Sequence, residues 1–141
     1  MTGLGVGESW IGSSHGDIKL DYSFSATSYK VSWHYNGTEY ERLVNGKPHV
    51  MDEGTQIEAQ NILVLAADTK QVKKEEIQSE IDILDKGLLV YFIEGKVMKG
   101  TWEKTSAEAP IVFKDEKGNP LKIKKGKTWI QVLPSFEKLS Y

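Results

Sequence analysis

Two stretches near the start of the chain alternate hydrophobic and polar residues. In residues 17–24, and again in 29–35, every second residue is aliphatic or aromatic and the intervening residues are mostly polar. A period of two places one set of side chains on a buried sheet face and predicts two strands. Asn36-Gly37 follows, a pair that accepts positive φ at both centres of a two-residue hairpin turn. We therefore expect residues 38–44 to return as the partner strand.

Residues 61–67, Asn-Ile-Leu-Val-Leu-Ala-Ala, form a continuous apolar run of strand length. Such a run predicts a strand that is buried on both faces, and therefore lies in the centre of a sheet. The preceding residues, 56–60, are compatible with a helical turn. Turns are predicted at 45–48, 94–96 and 115–119, and further strands over 88–93, 97–103, 110–113, 121–123 and 128–133.

Residues 73–84 have two interpretations. Ile77, Ile81 and Leu84 are spaced as on one face of a short helix among Lys and Glu residues. The alternative is a charged loop followed by a strand over 80–84.

Many short strands at close spacing define the expected fold class. They predict an all-β or β-rich α+β fold, mainly an antiparallel sandwich or a partly open barrel built from hairpins. The length of 141 residues fits one domain. Residues 1–16 are rich in Gly and Ser, so we interpret them as a flexible lead-in and residues 17–141 as a single β-rich domain.

Composition excludes several function classes. The formal net charge is −2 and Arg42 is the one arginine, so the chain lacks the basic field of a nucleic-acid-binding protein. There is no cysteine, which excludes disulfides, thiolate metal sites and cysteine nucleophiles within the chain. No apolar run is long enough to span a bilayer, and the first residues do not have the pattern of a signal peptide.

A series of short motifs from Val31 to Pro134 resembles a known family. Among them are Trp33-His34-Tyr35, Asn45-Gly46-Lys47-Pro48-His49, Ala59-Gln60-Asn61-Ile62-Leu63-Val64, Gly100-Thr101-Trp102, Gly118-Asn119-Pro120 and Gly126-Lys127-Thr128-Trp129. Their order and spacing resemble the C-terminal domain of the YerB-like lipoproteins of bacteria, a domain of unknown function.

The resemblance implies an extracytoplasmic protein, anchored through a lipidated N-terminus that is absent from this chain. It also implies a larger N-terminal domain as a packing partner, and a cell-wall or envelope component as a further possible partner. It favours a strand over 81–84, paired with 88–93.

The most promising polar cluster follows the turn at 45–48 and contains His49, Asp52 and Glu53. His49 could be a metal ligand or a general base oriented by a carboxylate, or a turn histidine that caps the backbone or packs on Tyr40. Arg42 could clamp a carboxylate or phosphate, or stack on Tyr40 or pair with a neighbouring glutamate at the surface.

Three tryptophans, Trp33, Trp102 and Trp129, could form a stacking platform for a glycan or peptide, or belong to the core. A structural hypothesis is that Trp102 and Trp129 brace the same sheet. We interpret His34 as solvated and His15 as incidental. Lysines 122, 124, 125 and 127 form a basic patch that could face anionic polymer or simply be solvated.

The sequence favours a non-catalytic binding or packing domain. Its candidate ligand-binding residues are Arg42, His49, Trp102 and Trp129, with no cofactor and no metal. The alternative is a hydrolytic or metal-assisted enzyme domain centred on His49, Asp52 and Arg42.

Overall fold

A computed structural model describes residues 2–3, 12–23, 28–67, 85–106, 108–133 and 135–141. Within these ranges the chain forms β-strands and a 3-10 helix, Phe136–Lys138, but no α-helix. In chain order the strands are β1 Thr2–Gly3, β2 Ser13–Ser14, β3 Ile18–Asp21, β4 Lys30–Tyr35, β5 Tyr40–Val44, β6 Lys47–Pro48, β7 Glu58–Ala59, β8 Asn61–Ala66, β9 Asp85–Ile93, β10 Lys96–Lys104, β11 Val112–Asp115, β12 Lys122–Ile123, β13 Thr128–Leu133 and β14 Leu139–Ser140.

The first sheet, sheet I, has the strand order β14-β3-β4-β5-β6, with β7 also paired to β5. Every pairing within it is antiparallel. Ile18 and Leu20 of β3 and Val31 and Trp33 of β4 are fully buried, while Lys19 between them is exposed. The period-two pattern therefore predicts the buried face of these strands correctly.

The hairpin between β4 and β5 turns one residue later than predicted. The Asn36 N–H donates to the Glu39 carbonyl at 3.0 Å, which leaves Gly37 and Thr38 as the central pair, and φ is +99° at Gly37. Asn36 stays outside that pair because its Oδ1 accepts the Thr38 and Glu39 N–H groups at 2.9 and 3.0 Å. The prediction of Asn36-Gly37 as the central pair is wrong.

The turn between β5 and β6 has the geometry expected of the first hairpin. Asn45 and Gly46 both have positive φ, +50° and +79°, between the paired residues Val44 and Lys47. Two consecutive positive φ angles are the mark of a type I′ turn.

The second sheet, sheet II, has the strand order β11-β10-β9-β8-β13, with β2 paired to β10. Strand β8 is internal, and its residues Ile62–Leu65 are fully buried, which confirms the prediction of a central strand. Strand β13 runs parallel to β8. Because β11 and β13 lie at opposite ends of this strand order, the connection between them passes across the sheet.

The side chain of Asn61 anchors that connection. Its Nδ2 donates to the Lys124 carbonyl at 2.8 Å, and its Oδ1 accepts the Lys124 N–H at 2.8 Å. Asn61 is fully buried, and these bonds satisfy a polar group that would be costly to bury alone.

Sheet II is covered on both faces, which explains the apolar run of β8. On one face the inter-sheet core joins Ile18, Trp33, Tyr40, Ile62, Val64, Val90 and Phe92 from the two sheets. On the other face a second core contains Leu63, Leu65, Tyr91, Trp102, Phe113 and Leu121. The predicted β-rich sandwich is confirmed, and successive β8 residues alternate between its two cores.

Other predictions have mixed outcomes. The helical turn at 56–60 is wrong, because Glu58–Ala59 forms β7 and pairs with Tyr40 and Glu41. The prediction for residues 73–84 lies outside the described residues. So does most of the lead-in, although β2 within it pairs with Lys96 and Val97. Among the described residues, no helix has the length and apolar character needed to cross a membrane.

Candidate functional site

Arg42 lies in the middle of β5 with its side chain inside the sandwich. It pairs across the sheet with Trp33 and shares its face with Tyr40, two residues earlier. None of its surface is exposed. Because side chains alternate between the two faces of a strand, the chain's one arginine lies in the core and does not face solvent.

Two tryptophan rings enclose the guanidinium group. Its central carbon, Cζ, lies 5.7 Å from the centroid of Trp33 and 4.7 Å from that of Trp129. The two indoles meet edge to face, with centroids 5.4 Å apart and planes at 61°. A desolvated cation–π contact contributes about 2 kcal/mol, so the rings offset part of the cost of burying the charge. We call Trp33, Arg42, His49 and Trp129 the arginine cluster.

His49 completes the arginine cluster from the polypeptide that follows β6. Arg42 Nη1 donates to His49 Nδ1, and the His49 N–H donates to the Arg42 carbonyl at 2.9 Å. A guanidinium group only donates hydrogen bonds, so Nδ1 must carry a lone pair.

Two glutamines add hydrogen bonds in this region. Gln131 is fully buried, and its Oε1 accepts the Trp33 indole N–H at 3.1 Å. Gln56 Nε2 donates to the Arg42 carbonyl at 2.9 Å. We did not predict either residue from the sequence. A polar residue between Ile130 and Val132 in an apolar strand was the available signal, because it requires a buried partner.

Trp102 is separated from the arginine cluster by sheet II. It lies in the second core, 2% exposed, and its indole N–H donates to the Ala66 carbonyl at 3.0 Å. Trp129 packs against the inter-sheet core. The two tryptophans thus contact opposite faces of the same sheet.

The residues of the hydrolytic hypothesis do not share one environment. Arg42 is buried and His49 is half-buried, but Asp52 is exposed in the turn that the Met51 N–H closes onto Thr55. Among the described residues, no three His, Cys, Asp or Glu side chains are grouped as a metal site requires. The ligand-binding role of Arg42, His49, Trp102 and Trp129 stays a prediction, and burial leaves His49 and Trp129 as its accessible members.

His15 has a packing role that the sequence did not indicate. Its Nε2 lies 2.9 Å from the Tyr40 hydroxyl, its ring stacks on Tyr40, and Phe92 meets it edge on at 5.0 Å. The Tyr40 oxygen accepts the Gly95 N–H at 3.0 Å. The interpretation of His15 as incidental is wrong, because the β2–β10 pairing carries this residue over the inter-sheet core.

The tyrosines with shifted pKa values are protonated packing residues. Burial raises the pKa of Tyr40, and it raises that of Tyr91 to about 12, with Asp115 and Glu116 adding to the effect at Tyr91. Both hydroxyls therefore keep their protons at neutral pH. At the surface, a hydrogen bond with Glu39 raises the pKa of Glu58. None of these pKa shifts identifies a general base next to the arginine cluster.

The fold and this internal cluster describe a β-sandwich domain without an assembled catalytic set among its described residues. Residues 18–130 match the family described as "Protein of unknown function (DUF3048) C-terminal domain". The chain belongs to this family. A search of curated proteins finds no match.

A solved structure supports the fold. The crystal structure of the YerB protein from Bacillus subtilis matches with a TM-score of 0.72 at 23% sequence identity, over 93% of this chain. The chain spans 44% of the length of that protein. A likeness at this level of identity concerns the fold alone.

Proposed function

We propose that this chain is a non-catalytic packing and binding domain of an extracytoplasmic bacterial lipoprotein. The observation that carries the proposal is the burial of Arg42 between Trp33 and Trp129. An arginine that binds substrate must present its donors to an incoming ligand. This guanidinium group is instead fully buried, where it lies against two ring faces and donates to His49.

The partner in this proposal is the N-terminal domain of the same full-length protein. The family description names a C-terminal domain, and the chain covers 44% of the B. subtilis protein. The chain contains no cysteine, so the lipid-bearing residue belongs to the preceding domain in this proposal. A cell-wall or envelope component is a further partner, contacted weakly through accessible parts of Trp129 and His49.

The test is a titration of the isotope-labelled chain with the N-terminal domain of its full-length gene product, produced separately. We expect amide shifts in a contiguous surface patch and a rise in the melting temperature of the mixture. Lysozyme at equal concentration is the control for non-specific contact. Unchanged amide spectra and independent unfolding of the two domains would refute the packing role.

Localisation requires a second readout. Fractionation of cells that express the full-length protein should place it in the membrane fraction, accessible to protease added outside. Replacement of its N-terminal lipid-acceptor cysteine should release it. Recovery of the unaltered protein in the cytosol would refute the extracytoplasmic assignment.

A further inference from the structure

The sequence contains two Asn-Gly pairs, and the fold holds their side chains in different ways. Asn36-Gly37 lies between β4 and β5, Asn45-Gly46 lies between β5 and β6, and both pairs are exposed. In an Asn-Gly pair the glycine nitrogen can attack the asparagine side chain with little obstruction, because glycine has no Cβ. The two turns can therefore be compared as sites of the same covalent reaction.

The Asn45 side chain is bonded to the neighbouring polypeptide through both ends of its amide group. Its Oδ1 accepts the Lys30 N–H at 2.8 Å, and its Nδ2 donates to the Ser28 carbonyl at 3.2 Å. Attack by the Gly46 nitrogen requires this amide to turn towards Gly46, which would break both bonds. Each bond of this kind shifts an equilibrium by about two- to tenfold, so the pair should slow the reaction about tenfold.

The Asn36 side chain instead folds over its own turn. Its Oδ1 accepts the Thr38 and Glu39 N–H groups at 2.9 and 3.0 Å, and among the described residues no hydrogen bond holds its Nδ2. An asparagine oxygen bonded to the N–H two residues ahead closes a ring of atoms that mimics a backbone turn. The Gly37 nitrogen belongs to that ring, so the side-chain carbon Cγ is held close to it.

The two N–H groups on Oδ1 also favour the addition step. When the Gly37 nitrogen bonds to Cγ of Asn36, negative charge develops on the oxygen that already accepts these two donors. A preorganised donor on a developing oxyanion accelerates acyl transfer by about 10²–10³ in an enzyme, and we expect a smaller factor at an exposed turn. Nothing lies within 4 Å of a Cβ added at Gly37, so solvent reaches the reacting atoms.

We propose that Asn36 is a site of spontaneous deamidation and that Asn45 is protected from it. Hydroxide removes the Gly37 amide proton, the nitrogen bonds to Cγ, and the bond from Cγ to Nδ2 breaks. Ammonia leaves with a proton taken from water, which regenerates hydroxide, and a succinimide ring remains. Water then opens the ring, giving aspartate if the bond from Cγ to nitrogen breaks and isoaspartate if the backbone carbonyl–nitrogen bond breaks.

The two products should affect the hairpin differently. An aspartate presents a carboxylate oxygen to the same Thr38 and Glu39 N–H groups, and a charged acceptor bonds more strongly than a neutral amide. An isoaspartate routes the main chain through Cγ and lengthens it by one carbon between Tyr35 and Gly37. We therefore expect one product that keeps the turn and one that weakens the β4–β5 hairpin. Neither the arginine cluster nor an N-terminal domain takes part, so the site goes beyond the proposed function and is tested separately from it.

The test is incubation of the folded chain at mildly alkaline pH, beside a sample unfolded in guanidinium chloride, followed by peptide mass spectrometry. In the unfolded sample the two Asn-Gly pairs should react at similar rates. In the folded chain Asn36 should convert about tenfold faster than Asn45. Similar rates at the two sites in the folded chain, or faster conversion of Asn45, would overturn the proposal.

Matched variants assign the reaction to one turn. In Asn36→Gln the corresponding ring has one more atom and forms far more slowly, so isoaspartate, measured by enzymatic methylation, should fall to the background level. Asn45→Gln is the same change in the other turn and should leave the isoaspartate of the folded chain nearly unchanged. Isoaspartate that persists in Asn36→Gln and disappears in Asn45→Gln would contradict the assignment.

Melting temperatures test the proposed difference between the products. Asn36→Asp should melt close to the untreated chain, because the carboxylate keeps the two hydrogen bonds of the turn. The isoaspartate fraction, separated by ion exchange from the aspartate fraction, should melt at a lower temperature. An isoaspartate fraction as stable as the untreated chain would contradict the role given to this turn.

Discussion

The two cores that share sheet II bury tryptophan in different ways. In the inter-sheet core, the Trp33 indole donates to Gln131, a side chain, and its ring contacts the cation of Arg42. In the second core, the Trp102 indole donates to the backbone carbonyl of Ala66. The first arrangement depends on side chains supplied by both sheets, and the second depends on how closely two backbones approach.

This difference indicates which substitutions should destabilise each core most. The second core should tolerate few changes of backbone geometry around Trp102. The inter-sheet core should respond to any change that separates Arg42 from its aromatic neighbours. Strand β8 belongs to both cores, so a defect there should damage the whole sandwich.

The largest effect is expected at β8. Val64→Asp would place a carboxylate at a fully buried position in the inter-sheet core. Burial of an unpaired charge is among the few single changes that cost more than about 4 kcal/mol, and we expect loss of folding by circular dichroism. A folded, soluble Val64→Asp variant would disprove the central position of β8.

Gly87→Ala probes the second core. An added Cβ would lie 2.6 Å from the Ala66 carbonyl oxygen and 2.7 Å from Trp102 Nε1, across the bond that satisfies this indole. We expect a loss of about 2–4 kcal/mol in chemical denaturation, from steric overlap and an unsatisfied N–H. Gly16→Ala is the control, because nothing lies within 4 Å of its Cβ. Equal stability of the two variants would show that Trp102 does not need this close approach.

Gly37→Val tests a turn that belongs to neither core. A valine there would have to adopt φ near +99°, although an added Cβ would meet nothing within 4 Å. Backbone strain alone should cost about 1–3 kcal/mol. Thr38→Val carries the same side chain at the adjacent turn position and should be close to neutral. An unchanged melting temperature for Gly37→Val would contradict the turn geometry.

The smallest effect concerns His34 on the outer face of sheet I. Its hydrogen bond to Asp17, at 2.8 Å, raises the pKa of His34 above the ordinary 6.5. The protonated ring is therefore favoured in the folded state. The stability it gives is complete below the unfolded pKa and is lost as pH rises through the raised folded pKa.

This pair is largely exposed, so the pH dependence should be weak. Melting temperatures measured from pH 5 to 9 should fall slightly more with rising pH in the native chain than in Asp17→Asn. Identical pH profiles for the two proteins would show that the His34–Asp17 pair does not contribute to stability.

The sequence predicts most of the strands but little of the arginine cluster. Alternation around Leu20 and Val31, and the unbroken apolar run before Ala66, determine which faces are buried, because these signals are local. Arg42 lies two residues after Tyr40 and therefore on the same face of the strand, so its burial could have been predicted. Its neighbour Trp129 comes from a distant strand of the other sheet, and no local pattern indicates that pairing.

The prediction of the turn type at Asn36 was wrong for a related reason. Asn-Gly is a strong hairpin signal, but the side chain of Asn36 closes the turn and moves the central pair by one residue. Asn45-Gly46, whose sequence is the same, adopts positive φ at both residues. A dipeptide therefore predicts that a turn exists more reliably than it predicts the exact turn type.

The central claim is that Arg42 belongs to the fold of the inter-sheet core, held there by Trp129. A double-mutant cycle in urea unfolding tests it directly, with Arg42→Met, Trp129→Leu and the combined variant. We predict a coupling free energy of about 1–2 kcal/mol, as expected for a desolvated cation–π contact. Additivity of the two substitutions within about 0.3–0.5 kcal/mol would contradict the account.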